Sequence, residues 1–293
     1  MAVEVLRRRI KTTQDLRDIV SNMKMLSSVS ILQYEQADKA LDKYMRNLRD
    51  AFHILALHRA LPHLITAKVK NPRYLFLLIG SDNGMVGRFN REIVGNAKDY
   101  LRQKHISLND VIFVTVGKRV SALAESSRLK VYKSYAISNS IKAVAMLAEN
   151  VILNIDEVIR KERISNVFVV SHHRGEHNLI SVEIKQIIPF DIKRLQKLQN
   201  KKWETNNIPQ LGVPAEKMFT ELVNESLMIT VGKEINASLA SEHYTRMTNM
   251  QNAEKNIDEN LEELNLVYQQ QRQEDITDEL IDVISGAEAM KDK

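Results

Sequence analysis

The chain has 293 residues, 44% of them hydrophobic and 27% charged, with no cysteine and a formal net charge of +5. The lack of cysteine excludes disulfides, thiolate metal sites and cysteine nucleophiles. No run reaches the roughly 18 apolar residues of a membrane-spanning helix, and the start, Met1 to Arg9, lacks the apolar core of a secretory signal.

The charge is unevenly placed. Residues 1–60 hold 11 Lys/Arg against 7 Asp/Glu, residues 61–205 hold 24 against 13, and residues 206–293 hold 7 against 17. The middle is therefore strongly basic and the last segment strongly acidic. A basic body can attract nucleic acid or anionic membrane, but its Lys and Arg are scattered without interleaved aromatics. That pattern favours a solvated face or an acidic protein partner.

From Val3 to Leu61 there is neither Gly nor Pro. Apolar residues fall at Val3, Leu6, Ile10, Leu16, Val20, Met23 and Leu26, then Ile31, Ala37, Leu41, Leu48 and Leu55. Spacings of three and four predict one long helix with a narrow seam. At about 1.5 Å per residue it would span roughly 80 Å, too long to be buried in a globule of this size.

The middle predicts alternating strands and helices. Strands are expected at Arg73–Ile79, Asp110–Val116 and Leu129–Ser134, with helices at Phe89–Lys104, Lys118–Glu125 and Ser140–Glu162. Asn166–Ser171 and Leu179–Ile187 read as a closing hairpin across Arg174-Gly175, and Lys193–Pro214 as a polar connector. The expected sheet is parallel, with right-handed crossovers and one antiparallel edge strand.

Between Pro214 and Gly286 the only helix breaker is Gly232. The apolar series Leu222, Ile229, Ile235, Leu239, Met247, Met250, Ile257, Leu261, Leu264 and Tyr268 predicts a second long helix, roughly 105 Å by helical rise. The expected fold class is thus α/β: a long antiparallel coiled coil of the terminal helices (1–61 and 212–286) with a central Rossmann-like domain (70–205). Antiparallel pairing sets residue i opposite roughly 272 − i, which brings Arg7, Arg8, Arg9 and Lys11 beside Glu259, Glu262 and Glu263 and selects orientation. Beyond the end of the first helix about 25 Å of the second would project. That tip carries Ile276, Leu280, Ile281, Val283 and Ile284, an association hazard unless another chain surrounds it.

No catalytic constellation is predicted, and no cofactor or metal. Ser81 to Gly87 lies where a nucleotide-binding loop would sit, but neither phosphate-loop spacing is met; Gly80, Gly84 and Gly87 fit a tight turn and close helix packing. His172, His173 and His177 flank the hairpin beside Glu176. Residues 172 and 173 should face opposite sides of the sheet, so a solvated turn is expected rather than a metal site.

The ends also resemble a family. Leu6-Arg7-Arg8-Arg9-Ile10, Thr13-Gln14-Asp15-Leu16 and Met23-Lys24-Met25 are similar to the N-terminal helix of the gamma subunit of F-type ATP synthases. Ser238-Leu239-Ala240-Ser241-Glu242-His243, Arg246-Met247, Met250, Leu266-Val267-Tyr268, Arg272-Gln273, Ile276-Thr277, Glu279-Leu280 and Ser285-Gly286-Ala287 are similar to its C-terminal helix, and Ser81–Asn90 resembles the loop after its first strand. The resemblance implies a non-catalytic rotor shaft within a hexamer of alpha and beta subunits, beside an epsilon subunit and on a membrane ring of c subunits. The shaft would couple ion-driven rotation (proton or sodium) to ATP synthesis or hydrolysis on beta, at the cytoplasmic face of the inner (plasma) membrane. It further implies that Met23, Lys24, Arg246, Gln273 and Thr277 contact beta. Two departures stand out: the loop reads Gly84-Met85-Val86-Gly87-Arg88-Phe89-Asn90, and Ser27-Ser28-Val29-Ser30-Ile31 with Gln33-Tyr34-Glu35 is similar to gamma subunits of the alternate, N-type ATPases. Two other function classes stay open on the residues alone. A nucleotide-dependent α/β enzyme with a coiled-coil arm would bind ATP or NAD stoichiometrically. A tether with a nucleic-acid-binding body would show steeply salt-dependent DNA binding.

Overall fold

The computed structural model describes residues 2–58, 71–137, 140–190, 195, 197–203, 205, 207 and 209–291. In chain order the elements are α1 (Ala2–Leu57), β1 (Arg73–Ile79), α2 (Phe89–Gln103), β2 (Val111–Val116), α3 (Lys118–Ser126), β3 (Val131–Tyr135), α4 (Ile141–Glu162), β4 (Ile164–Arg174), β5 (Ile180–Ile188) and α5 (Ala215–Lys291). The first helix thus ends at Leu57, and residues 59–61 of its expected span lie outside the described residues. Two compact units form: residues 29–245, and residues 1–28 with 246–293.

The larger unit holds a sheet of order β3-β2-β1-β4-β5, parallel except for the antiparallel pair β4–β5. In register, Leu77 pairs Val114 on one side and Val169 on the other. Because the central strands are covered on both faces, their sequences run continuously apolar instead of alternating, as in Leu75–Ile79. On one face Phe76, Leu78, Phe113 and Phe168 pack against Ile93, Ala97 and Leu101 of α2 and Val120 and Ala124 of α3. On the other, Leu75, Leu77, Ile79 and Val114 meet Val144, Val151 and Ile155 of α4. Tyr34 of α1 and Val231, Ile235 and Leu239 of α5 join that same cluster, so both terminal helices share the core of the sheet.

Three local expectations are corrected. β3 begins at Val131 rather than Leu129, because the Leu129 amide still closes the end of α3 on the Ala124 carbonyl at 3.0 Å, with Arg128 in the left-handed region (φ 60). The hairpin turns through a short 3-10 segment, Glu176–Asn178, with His177 and Asn178 at φ 57 and 61, not across Arg174-Gly175 alone. The connector is not simply polar: Leu195 and Leu198 pack with Phe52, Leu55 and Phe219, and Trp203 meets His53 edge-on at 5.1 Å.

The turn after β1 depends on close approach. A Cβ at Gly80 would fall 2.4 Å from both Asn90 Oδ1 and Val120 Cβ. Gly80→Ala is expected to destabilise the larger unit by about 1–3 kcal/mol, read as a lower urea midpoint with an unchanged slope.

In the smaller unit α1 and α5 run antiparallel, bridged by Arg17 to Asp258 at 2.5 Å and by Lys24 to Glu254. The positions of these pairs add to 275 and 278, so the register sits three and six residues from the expected 272. Val3, Leu6, Ile10, Val20 and Met23 lie half-buried along the seam, with Ser27 buried. Leu16 and Leu26, expected in that seam, are exposed; Thr13 and Ser27 take the inward positions that the heptad spacing requires. On α5, Met250 and Leu264 are buried and Ile257, Leu261 and Tyr268 half-buried, as the sequence predicts.

Candidate functional site

The candidate site is the outer surface of the smaller unit. A two-helix coiled coil has one seam, and any aliphatic residue off it must face water or another molecule. Val5, Ile19, Met25 and Leu26 from α1 do so, as do Leu266, Ile276, Leu280, Ile281, Val283 and Ile284 from α5. The last five are between 48% and 69% exposed. With the observed register even the first residues of α1 reach only to about position 277 of α5, so Leu280–Ile284 lie past the last possible seam partner. A set of this kind, crowded within nine residues, is far denser than the scattered apolar residues of an ordinary surface.

The five residues expected to contact a partner differ in setting. Gln273 and Thr277 are exposed, one turn apart, and the Thr277 hydroxyl donates to the Gln273 carbonyl at 2.8 Å. Met23 is half-buried in the seam. Lys24 is engaged by Glu254, whose carboxyl is pulled below its ordinary range by that hydrogen bond first. Arg246 is 6% exposed, so its guanidinium is engaged within the chain. Of the residues expected to pair across the coil, Arg8 lies 4.0 Å from Glu4 and Glu259 3.8 Å from Lys255, each within its own helix. Arg7, Arg9, Glu262 and Glu263 are exposed.

Within the segment that departs from the family's pattern, Ile31, Tyr34 and Glu35 turn inward in the larger unit, while Val29 and Gln33 are exposed. Tyr34 is 1% exposed and stacks on His243 with ring centres 5.6 Å apart, and Glu35 pairs with Arg174 of β4. This local divergence therefore concerns how α1 seats against the sheet and α5.

The loop after β1 consumes its own polar groups. The Ser81 amide donates to Asn90 Oδ1 at 2.9 Å, and Asn90 Nδ2 donates to Ser81 Oγ at 2.9 Å. One oxygen of the Asp82 carboxylate accepts from the Lys118 amide at 2.8 Å, at the start of α3, and the other accepts from the Ile137 amide at 3.1 Å. A fixed carboxylate at a helix N-terminus occupies the place where a phosphate would bind. The loop thus ties α2, α3 and β1 together.

His177 is exposed in the turn as expected, but His172 and His173 are not part of a solvated turn. His172 and His173 do face opposite sides of the sheet, but His172 is fully buried, stacked on Phe89 with ring centres 3.8 Å apart. Its Nδ1 finds no hydrogen-bond partner among the described residues, and its Nε2 lies 3.4 Å from Glu92. Burial first, then the neighbouring His173, pushes its pKa down to about 3. The sign follows. With a folded value below the unfolded 6.5, the neutral ring's contribution is complete above pH 6.5 and is lost as pH falls toward 3. His172→Phe keeps the stack and removes the proton. At pH 5 it should remove about 2 kcal/mol of acid sensitivity, measured by urea unfolding at pH 5 and 8.

On the other face, Glu234 of α5 accepts from Ser171 at 2.7 Å, pairs with His173 at 2.6 Å and with Lys185 at 2.9 Å. No local signal joins four residues so far apart in sequence, and reading the sequence missed the group. Among the described residues no cluster of three or more His, Asp or Glu is arranged to hold a metal, and no helix is long and apolar enough to cross a membrane.

Across residues 2–290 the sequence matches the family model described as ATP synthase. It is similar to the ATP synthase gamma chain of Trichlorobacter lovleyi, 27% identical with 99% of each chain covered. It is also similar to that of Bdellovibrio bacteriovorus, 28% identical with 98% of each covered. Its fold is similar to a chain in the rotor of the Euglena gracilis mitochondrial ATP synthase, with a TM-score of 0.62 at 16% identity, covering 94% of this chain and 99% of that one. A chain from the central stalk and c-ring of the Tetrahymena thermophila mitochondrial ATP synthase gives a TM-score of 0.55 at 18% identity, covering 80% of this chain and 99% of the other.

Proposed function

We propose that this chain, which belongs to the ATP synthase family, is the gamma-type central shaft of a rotary ATP synthase or ATPase. It couples rotation of a membrane ring of c subunits to ATP synthesis or hydrolysis on beta subunits, and it carries no catalytic site of its own. The observation that carries the reading is the bare aliphatic end of an antiparallel two-helix unit, in a chain matched to the family over nearly its whole length. Such a surface is stable in water only when enclosed, and a ring of alpha and beta subunits encloses it from all sides. Within that ring the open Gln273 and Thr277 are the polar groups most available to beta, while Met23, Lys24 and Arg246 act from the coil's own packing. Arg7, Arg8, Arg9, Glu259, Glu262 and Glu263 face outward, available to neighbouring subunits. The basic α/β unit contacts the c ring and epsilon, and residues 1–61, 70–205 and 212–286 serve as shaft, body and shaft. As part of such a complex the chain is peripheral to a membrane, and we assign it to the cytoplasmic face of the inner membrane.

Purification of the tagged chain from its native cells tests this. Two nucleotide-binding subunits, each in threefold excess over the chain, are expected. Recovery of the chain alone, or with nucleic acid, would contradict the assignment.

A further inference from the structure

Ion pairs and hydrogen bonds link the sheet to both terminal helices within the larger unit. From α5, Glu234 is 2% exposed and takes three partners on β4 and β5: Ser171, His173 and Lys185. From α1, Glu35 pairs with Arg174 of β4, whose guanidinium also lies 5.3 Å from the Tyr244 ring of α5. Asp42 of α1 pairs with Lys233 of α5, the residue next to Glu234. Asp38 lies among these charges, its carboxyl raised by burial first and lowered again by Lys233.

We propose that Glu234 is a positioning residue for rotary coupling, fixing the angular and axial register of α5 on the sheet so that torque passes between the α/β unit and the shaft helices. This rests on the shaft assignment above. The physical reason lies in the rest of that interface. Val231, Ile235 and Leu239 meet the sheet through aliphatic contacts, which are non-directional and allow a helix to slip or roll at little cost. Directional bonds to a buried carboxylate from three side chains on two strands do not allow this. Glu234 sits in the same turn as Val231 and Ile235, so rotation of α5 about its axis breaks all three bonds together.

His173 makes the device sensitive to pH. The groups facing it are Glu234 from α5, Glu183 and Lys185 from β5, Asp38 from α1 and Ser171 on its own strand. Its pKa is raised by the Glu234 hydrogen bond first. The charged pair is therefore complete below the ordinary histidine range and weakens as pH rises through the folded value.

The test uses the assembled complex in sealed vesicles, reading the ratio of ATP-driven ion pumping to ATP hydrolysis. E234Q keeps the volume and removes the charge, and its ratio is expected to fall roughly threefold while hydrolysis persists. K185M removes one bond at a half-exposed side chain and is expected to lower the ratio by less. E234D, which restores the charge, should recover part of the loss. In the wild-type complex the ratio should decline as pH rises past the ordinary histidine range, and in E234Q that decline should be absent. A ratio equal to wild type in both E234Q and K185M overturns the proposal, as does loss of pumping and hydrolysis in equal proportion. If wild-type vesicles show no pumping linked to hydrolysis, it is the shaft assignment itself that fails.

Discussion

A chain ending at Gln269 should keep the thermal midpoint of its α/β unit and yet fail to support coupled rotation. The removed stretch contains Ile276, Leu280, Ile281, Val283 and Ile284, all exposed, so nothing in the chain's own core is lost with them. The larger unit spans residues 29–245 and keeps its sheet and both clusters that sandwich it. What is lost is the surface offered to the surrounding subunits. Each aliphatic side chain transferred from water to a fitted socket contributes about 1.5 kcal/mol or more. Even after the costs of association, five of them should weaken seating by at least about a hundredfold. Gel filtration of the truncated chain with its partner subunits, and pumping by the reconstituted complex, would show this. A truncated chain that seats and pumps as well as the full one would mean that the bare end is not held.

Glu234→Ala should produce the largest loss of stability of any single substitution considered. It leaves the buried Ser171 hydroxyl without its Glu234 acceptor and removes the charge that holds the His173 proton and the half-exposed Lys185 ammonium; losing two or more hydrogen bonds to a buried charge costs about 3–5 kcal/mol. The pH dependence has two limbs. Burial by itself raises the Glu234 carboxyl, but the His173 hydrogen bond and the Lys185 charge bring it down to about 2. A depressed acid contributes stability that is complete above its unfolded value near 4.5 and is lost as pH falls toward 2. His173 behaves oppositely: its raised value gives stability that is complete below 6.5 and lost as pH rises through the folded value. Both contributions are whole between about pH 4.5 and 6.5, so the gap between wild type and Glu234→Ala should be widest there. Urea unfolding from pH 3 to 9 measures it. A gap independent of pH would indicate that the carboxylate acts by packing alone.

How far the sequence revealed this follows from the range of each interaction. β1 was legible to the residue, because Pro72 and Gly80 bracket Arg73 and the unbroken apolar run Tyr74–Ile79. The seam of α5 was legible because its heptads are regular from Met250 to Tyr268. In α1 the pattern misled, since Leu16 and Leu26 look like seam residues and are instead part of the outward surface. A single-helix pattern cannot separate an inward leucine from one reserved for a second partner. His172 and His173 misled for a different reason. Beside Arg174, Gly175 and Glu176 they read as a polar turn, and only β4 running on to Arg174 carries them into the fold. The Glu234 group was invisible, because its members come from three elements that meet only after the sheet is built. The candidate surface was thus half readable: its bare tip showed in composition, while which of Met23, Lys24 and Arg246 are engaged within the chain did not.

The central claim is that the far end of α5 is enclosed by other subunits, and one labelling measurement tests it most directly. The chain has no cysteine, so Val283→Cys provides a single reporter at a site 69% exposed. With a maleimide it should react at the rate of a free thiol in the isolated chain and be strongly protected in the assembled complex. Equal rates in both would contradict an enclosed shaft.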